Sequence, residues 1–379
     1  MKNEQNKKIV IVNQDSGYLM IDLANAYIEA GFEVSLVTGR ISERNKSLNQ
    51  KVHVCKIKKY NRATFTTRLI SWIIASIQIS LRVIFQFRNS HILFVSNPPI
   101  GAWINAFLNR DFSLLIYDVY PDALEEIGYA NKDSFIYRIW GRFNRITYRK
   151  AKRIITISES MVETMQHYAG NKKIEIIPIW TDNNYLKPVD ETNNIFIKNH
   201  HLEGKFIVLY SGNLGETANA EVMVDLAIKL RDESNIQFVI IGEGSQKKQI
   251  SQRIEEFGLQ NCLFLPKQSA EMFPFSLASA NLALVSLNKS AGRIALPSKL
   301  YSLLSVGVPI LALCDKESAL EKIVDKYNIG KCFDFDSLDD ANGFILSISK
   351  DQQLQVDYKT NVLVASKKYD DSNVLKFII

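Results

Sequence analysis

One arrangement occurs twice in this chain and constrains its fold more than any other feature. An apolar run at residues 8–12 leads into a polar loop starting at Asn13. A helix-like stretch follows from about Met20 to Ala30, then Gly31, then a second apolar run at 33–37. From residue 206 the order restarts. An apolar run at 206–210 leads into the turn Ser211-Gly212-Asn213-Leu214-Gly215-Glu216, a helix to about Arg231 and an apolar run at 237–241. Short continuous apolar runs suit strands buried on both faces, and the helices between them supply the long crossovers that parallel strands require. The fold class is α/β, built on parallel sheets.

A chain of 379 residues is long for one domain of this kind and suits two. The first reads as residues 1–181 and the second as 182–360, with 361–379 a final segment that crosses back to the first domain. Residues 178–204, polar and rich in Asn and Asp, read as the linker and the entry to the second domain. Further strands are expected at 91–95, 113–117, 153–157 and 174–177, then at 262–265, 282–285 and 309–313.

Open α/β sheets bind ligands beyond the carboxyl ends of their strands. This rule places the loop from Asn13 to Gly17 at a cleft, along with the segment Asp118-Val119-Tyr120-Pro121-Asp122 after the strand at 113–117. Asp118 suits either a cleft carboxylate or a loop or helix cap. In the second half, glycines in Gly212-Asn213-Leu214-Gly215 would let backbone amides approach a phosphate or sugar, or would simply serve a tight turn. Gly242-Glu243-Gly244 carries the same signal more weakly. Neither is the GxGxxG fingerprint, and no Walker A sequence occurs.

The stretch 293–313, RIALPSKLYSLLSVGVPILAL, gathers several signals. Pro297 suits the first turn of a helix, and Ser298 can satisfy a free amide there. Lys299 and Arg293 add positive charge to the positive end of the helix dipole, which makes an anion site. Gly307 should stop the helix before a strand at 309–313.

Charge is uneven along the chain. Residues 1–181 carry 25 Lys and Arg against 15 Asp and Glu, whereas the remainder carries 21 against 25. A basic first half points to an anionic surface as partner, either membrane or nucleic acid. Within it, residues 136–153 read as an amphipathic helix, with Ile136, Ile139, Trp140, Phe143 and Ile146 at helical spacing. Arg138, Arg142, Arg145 and Arg149 form a stripe on another face, which suits either anionic lipid heads or plain solvation. Residues 66–87 are apolar enough to span a bilayer, but Gln78 and Arg82 interrupt them. They read first as a buried helix, then as a helix in the membrane interface, and last as a true span.

The cysteines Cys55, Cys262, Cys314 and Cys332 are scattered in apolar settings, so reduced thiols in a cytoplasmic protein are expected. The amino terminus runs from a polar tail into a strand, unlike a signal peptide. No His or Cys cluster has metal spacing, and no metal or other cofactor is expected.

Taken together, these residues resemble a GT-B glycosyltransferase of the family 4 type. The likeness is to the bacterial subgroup that builds surface polysaccharides, including colanic-acid and N-acetylfucosaminyl transferases. It rests on YSGNLGETANAE, FVIIGEGSQKKQI, LPKQSAEMFPFSLASANLALVSL and LPSKLYSLLSVGVPILAL, with IYDVYPDALEEIGY and IIPIWTDNNYLKP in the first half. The resemblance implies two Rossmann-like domains facing a cleft and a retaining, metal-free transfer from a UDP-sugar of HexNAc type. The acceptor would be a lipid-linked oligosaccharide on the inner face of the cell membrane, with no nucleic acid involved. On this reading the amides of Gly212, Asn213, Leu214 and Gly215 hold the donor diphosphate with Ser298 and Lys299, and Arg293 and Lys299 are the cations. Gly242, Gly244, Pro266, Lys267 and Ser302 border the nucleotide. Gly17, Asp118 and Asp122 lie on the acceptor side.

The chain departs from the family pattern at several positions. Ile294 and Ser302 stand where the family carries two glutamates, Asn213 stands where it carries an arginine, and the usual double glycine of the first loop is reduced to Gly17. A non-catalytic scaffold of the same fold and a sugar-nucleotide epimerase are the alternative functions.

Overall fold

The computed structural model describes residues 7–61, 63–126, 128, 130–215, 218–288 and 296–379. The chain forms two compact units: residues up to Trp180 together with Ser372–Ile379, and Thr181–Asp371.

In the first unit the elements run β1 (Lys8–Val12), β2 (Asp15–Ser16), α1 (Tyr18–Glu29), β3 (Glu33–Thr38), β4 (Arg40–Ile41), β5 (His53–Lys56) and α2 (Phe65–Phe85). They continue with β6 (His91–Val95), β7 (Phe112–Ile116), α3 (Asp122–Glu126), α4 (Phe135–Lys150), β8 (Arg153–Thr156), α5 (Glu159–Ala169) and β9 (Glu175–Ile176). Seven strands form one parallel sheet in the order β5-β3-β1-β6-β7-β8-β9, and β2 and β4 form a small separate ladder. The sheet grows outward in both directions from β1 and β6. Their carboxyl ends therefore form the switch point, where adjacent loops diverge and leave a crevice.

Ile9, Ile11, Leu36, Leu93, Leu115 and Ile155 fill one face of this sheet against Leu23 and Tyr27 of α1. The carboxyl terminus closes the same core with Val374 and Phe377. The Tyr27 hydroxyl donates to the Phe377 carbonyl at 2.6 Å. Arg153, paired with Glu175 at 2.8 Å, also donates to the carbonyls of Lys376 and Phe377.

Two helices depart from the periodicity reading. α4 does not bury its isoleucine row: Ile136 is 72% exposed, and Ile139 and Ile146 are also exposed. Its inward face is Trp140, Gly141, Asn144, Thr147 and Tyr148. That face can be polar because Asn144 is satisfied, accepting from Trp103 Nε1 at 3.1 Å and donating to the Tyr120 carbonyl at 2.6 Å. α2 is not a wholly buried helix either. Trp72, Ala75, Ile79 and Val83 face the core, while Ile70, Ile73, Ile77, Leu81 and Phe85 are exposed.

The second unit contains α6 (Ile195–Asn199), β10 (Phe206–Asn213), α7 (Val222–Lys229), β11 (Ile236–Glu243), α8 (Lys247–Glu256), β12 (Cys262–Leu265), α9 (Phe273–Ala278) and β13 (Leu282–Ser286). It is completed by α10 (Lys299–Ser305), β14 (Ile310–Leu313), α11 (Ala319–Tyr327), β15 (Gly330–Phe333), α12 (Leu338–Lys350) and α13 (Gln352–Ser366). The six strands run parallel in the order β12-β11-β10-β13-β14-β15, so the switch point lies between β10 and β13.

The polar segment at 178–204 is more ordered than a linker. Leu186, Phe196, Ile197 and Leu202 are buried, and Asn194 caps α6 by accepting from the amides of Phe196 and Ile197. Local side-chain-to-backbone bonds let an Asn-rich stretch pack. Gly307 ends α10 as expected, with φ +76°; its amide donates to Leu304 and that of Val308 to Leu303, the paired bonds of a Schellman stop.

Candidate functional site

β10 brings Tyr210, Gly212 and Asn213 to the switch point of the second unit, and α10 brings Lys299 to the same place. The Lys299 Nζ lies 3.7 Å from the centre of the Tyr210 ring. A Cβ on Gly212 would sit 3.0 Å from Lys299 Cε and Nζ, so the glycine leaves room for the lysine to lie across the turn. The Tyr210 hydroxyl is held in turn, donating to the Asn213 carbonyl at 2.7 Å.

Among the described residues the buried Lys299 Nζ has no hydrogen-bond partner. Burial lowers the affinity of this amine for its proton, from a pKa of 10.5 to about 7. The Tyr210 ring face gives the charged form some compensation. A buried, unpartnered amine at a switch point can accept an anion, whose arrival would restore both its charge and its hydrogen bonds.

Parts of the expected donor site need correction. The Leu214 amide is already engaged, donating to the Glu243 carbonyl at 2.9 Å, and the Leu214 carbonyl accepts from Gln246. Of the four amides proposed for the diphosphate, this one is unavailable. Ser298 is exposed and makes no side-chain cap bond to α10, which is only seven residues long. The chain at Ser298 is already helical, so its hydroxyl does not reach the next amides as an extended cap residue would. The anion signal here comes from the lysine rather than from the helix end. Arg293 and Ile294 lie outside the described residues.

Gly242 and Gly244 have a steric reason. A Cβ on Gly242 would come within 2.0 Å of the Gly212 carbonyl oxygen, and one on Gly244 within 2.4 Å of that of Leu214. Both glycines make room for the turn after β10. Gly244 also lines a cavity of about 640 Å³ with Phe264, Leu265 and Pro266, beyond the ends of β11 and β12. Lys248, which sequence reading did not single out, lines it too, while Lys267 is exposed just past Pro266. Ser302 is buried within α10.

In the first unit, Asn13, Asp15, Gly17, Ser96, Asn97 and Asp118 line a cavity of about 240 Å³ at the β1–β6 switch point. A Cβ on Gly17 would meet open space. The side chain of Asp118 is exposed, and the Ser96 hydroxyl accepts from the amides of Tyr117 and Asp118 at 3.0 and 3.3 Å, fixing the turn that presents it. Asp15 is clamped by Arg40 through two bonds of 2.7 and 2.6 Å.

Asp122 is not with this group. It is buried and accepts from the hydroxyls of Tyr137 and Tyr168 at 2.8 and 2.7 Å. It ties α3 to α4 and α5, so its expected place on the acceptor side is corrected to a structural one. Burial and the bond to Asp122 push the Tyr137 hydroxyl up to about 12. Two tyrosines distant in sequence gave no local signal for this role.

Residues 191–363 match the model for glycosyl transferases group 1, and residues 17–184 match that for glycosyltransferase family 4. The chain is a GT-B glycosyltransferase of the family 4 type.

Among relatives of this glycosyltransferase is WbjE of Pseudomonas aeruginosa, named as a glycosyltransferase, at 24% identity over 73% of this chain and 70% of WbjE. Another is WcaI of Escherichia coli (strain K12), a glycosyl transferase named for colanic acid biosynthesis, at 28% identity over 60% of this chain and 57% of WcaI. The crystal structure of Anabaena Alr3699/HepE in complex with UDP superposes with a TM-score of 0.73 at 13% identity, covering 97% of each chain. In this fold the loops at strand carboxyl ends carry the chemistry, and the two cavities described above lie there.

Proposed function

We propose that this glycosyltransferase moves a sugar of HexNAc type from a UDP-sugar, with retention of configuration, to a lipid-linked oligosaccharide during surface-polysaccharide synthesis. The observation that carries the donor reading is the buried Lys299 amine, without a partner among the described residues and set between Gly212 and the Tyr210 ring. Breaking the bond between sugar and phosphate builds negative charge on the departing diphosphate, and a preplaced cation in a dry site lowers the energy of that charge. The solved relative that holds UDP and the relative named for colanic acid biosynthesis support the donor and pathway classes. The sugar type and the retention of configuration follow from the family resemblance alone.

Lys299 supplies positive charge to the departing diphosphate, so transfer is expected to proceed in excess chelator. Asp118, in the cavity of the first unit, faces the acceptor hydroxyl. The Arg138, Arg142, Arg145 and Arg149 stripe on α4 docks the enzyme peripherally on the cytoplasmic face of the membrane, where a lipid-linked acceptor resides.

The test is a binding and transfer screen of the full chain against UDP-, dTDP- and GDP-sugars, with membrane lipid extract as acceptor and chelator present. Selective UDP-sugar binding with transfer to lipid is expected. Binding of no UDP-sugar, or transfer only with added metal, would overturn the reading.

A further inference from the structure

α2 uses its two faces in opposite ways. One face is built into the first unit: Trp72 Nε1 donates to Asn97, the Lys58 amide donates to Gln78 Oε1, Arg82 donates to the Lys56 carbonyl, and Arg110 donates to that of Val83. The other face is apolar and bare. Ile70, Ile73, Ile77, Leu81 and Phe85 recur at helical spacing and are 51, 51, 56, 51 and 67% exposed. They cover about 22 Å of helix at 1.5 Å per residue. A row of this length exceeds the scattered apolar residues of an ordinary surface.

α2 is long and apolar enough to cross a membrane by length and composition. Crossing would strip its inner face of the partners just named, so the exposed row can meet hydrocarbon only with the helix lying flat. The charges around it favour lipid. α2 contains no acidic residue, and Arg68, Arg82 and Arg88 lie along it or just past its end. A short 3₁₀ turn at Gly101–Ala106 packs against both α2 and α4. Phe107, 73% exposed, follows that turn and lies 6.0 Å from the Phe143 ring of α4. α4 itself carries Phe135 and Ile136, 76 and 72% exposed, and the arginine stripe, in which Arg138 pairs with Asp133 at 3.9 Å and Arg149 lies against Gly170. An apolar strip with cationic margins matches anionic lipid, hydrocarbon below and phosphates above. A second copy of the chain seated on this face by two-fold symmetry would bring like charges together.

We infer that α2 is an interfacial membrane helix, its Ile70–Ile77–Leu81 row entering the acyl region of an anionic bilayer while Phe107 and the α4 arginines hold the headgroup level. This deepens the docking reading above by making apolar insertion, rather than the arginines, the main source of binding.

The test uses the full chain with Cys332, the one half-buried thiol, replaced by serine. An environment-sensitive NBD label is placed at Ile77→Cys, or at Val356→Cys in the second unit as a control. With phosphatidylcholine vesicles containing 30% phosphatidylglycerol, the label at position 77 should shift to the blue and brighten several-fold, while that at 356 should not. Wild-type protein should stay bound in 1 M salt, where charges are screened beyond about 3 Å. The triple variant Ile73→Gln, Ile77→Gln, Leu81→Gln, checked for folding by circular dichroism, should lose at least tenfold in partitioning.

Vesicle binding with no shift at 77, or with the triple variant unimpaired, would overturn the inference and leave arginine docking standing. No binding at all would overturn both. A shift without vesicles, accompanied by a dimer in sedimentation, would assign the face to a second copy and overturn the inference.

Discussion

Replacing Lys299 with methionine separates the cost of this residue from its use. Among the described residues the amine is buried without a partner, and burial drops its pKa from 10.5 to about 7. The unfolded chain keeps that proton up to about pH 10, while the folded chain gives it up near pH 7. Between these values the unfolded state binds more protons, so stability rises with pH; below pH 7 the penalty is present in full. At about 1.4 kcal/mol per tenfold change in proton affinity, the drop sets a ceiling of about 4 kcal/mol on the penalty at neutral pH. The Tyr210 ring, 3.7 Å away, returns about 1–2 kcal/mol of it.

Lys299→Met should therefore stabilise the ligand-free second unit by about 1–3 kcal/mol at pH 7, and by progressively less as pH rises to 10. Urea denaturation at several pH values reads this directly. UDP binding should go the other way. A diphosphate beside the amine restores its charge, so at pH 8 wild-type protein should take up nearly one proton per UDP bound. Calorimetry in two buffers of different ionisation enthalpy measures that uptake. The variant should take up none and bind about 10–100-fold more weakly, the worth of a charge-assisted hydrogen bond. A variant less stable than wild type at pH 7, or one that binds UDP equally well, would refute the reasoning.

Three further perturbations test separate parts of the structure. Gly242→Ala would put a methyl 2.0 Å from the Gly212 carbonyl oxygen, so a loss of about 1–3 kcal/mol in urea denaturation is expected with weaker UDP binding; an unchanged protein would remove the steric account of this glycine. Asp122→Leu leaves the buried Tyr168 hydroxyl and the half-buried Tyr137 hydroxyl without their acceptor and should cost about 1–3 kcal/mol in thermal unfolding, with UDP affinity unaltered. Asp118→Asn, exposed in its cavity, should leave stability within about 0.5 kcal/mol while lowering transfer at least tenfold. Full turnover of that variant on lipid acceptor would relegate Asp118 to loop structure.

Much of this protein is written in local pattern. Apolar runs broken by glycine and polar turns determine the alternation of strand and helix, because the backbone preferences involved span only a few residues. The Gly307 stop and the parallel strand pairs are of this kind, and so is the arrival of Gly212 and Lys299 near one ligand site once strand ends are known to face ligands.

Decisions about faces and partners belong to tertiary structure. α4 contains both an isoleucine row and an Asn–Thr–Tyr row; packing buries the second because Trp103 and Tyr120 satisfy Asn144, and nothing local announces that. α2 carries apolar residues on both of its faces, so its neighbours determine which side stays bare. Leu214 loses its amide to a neighbouring strand, and Asp122 loses both oxygens to tyrosines at 137 and 168. Lys299 reads in sequence as a cation at a helix start, but nothing local says that it is buried. Only the fold shows it pressed between a glycine and an aromatic ring with its amine out of water, because burial depends on residues far apart in the chain.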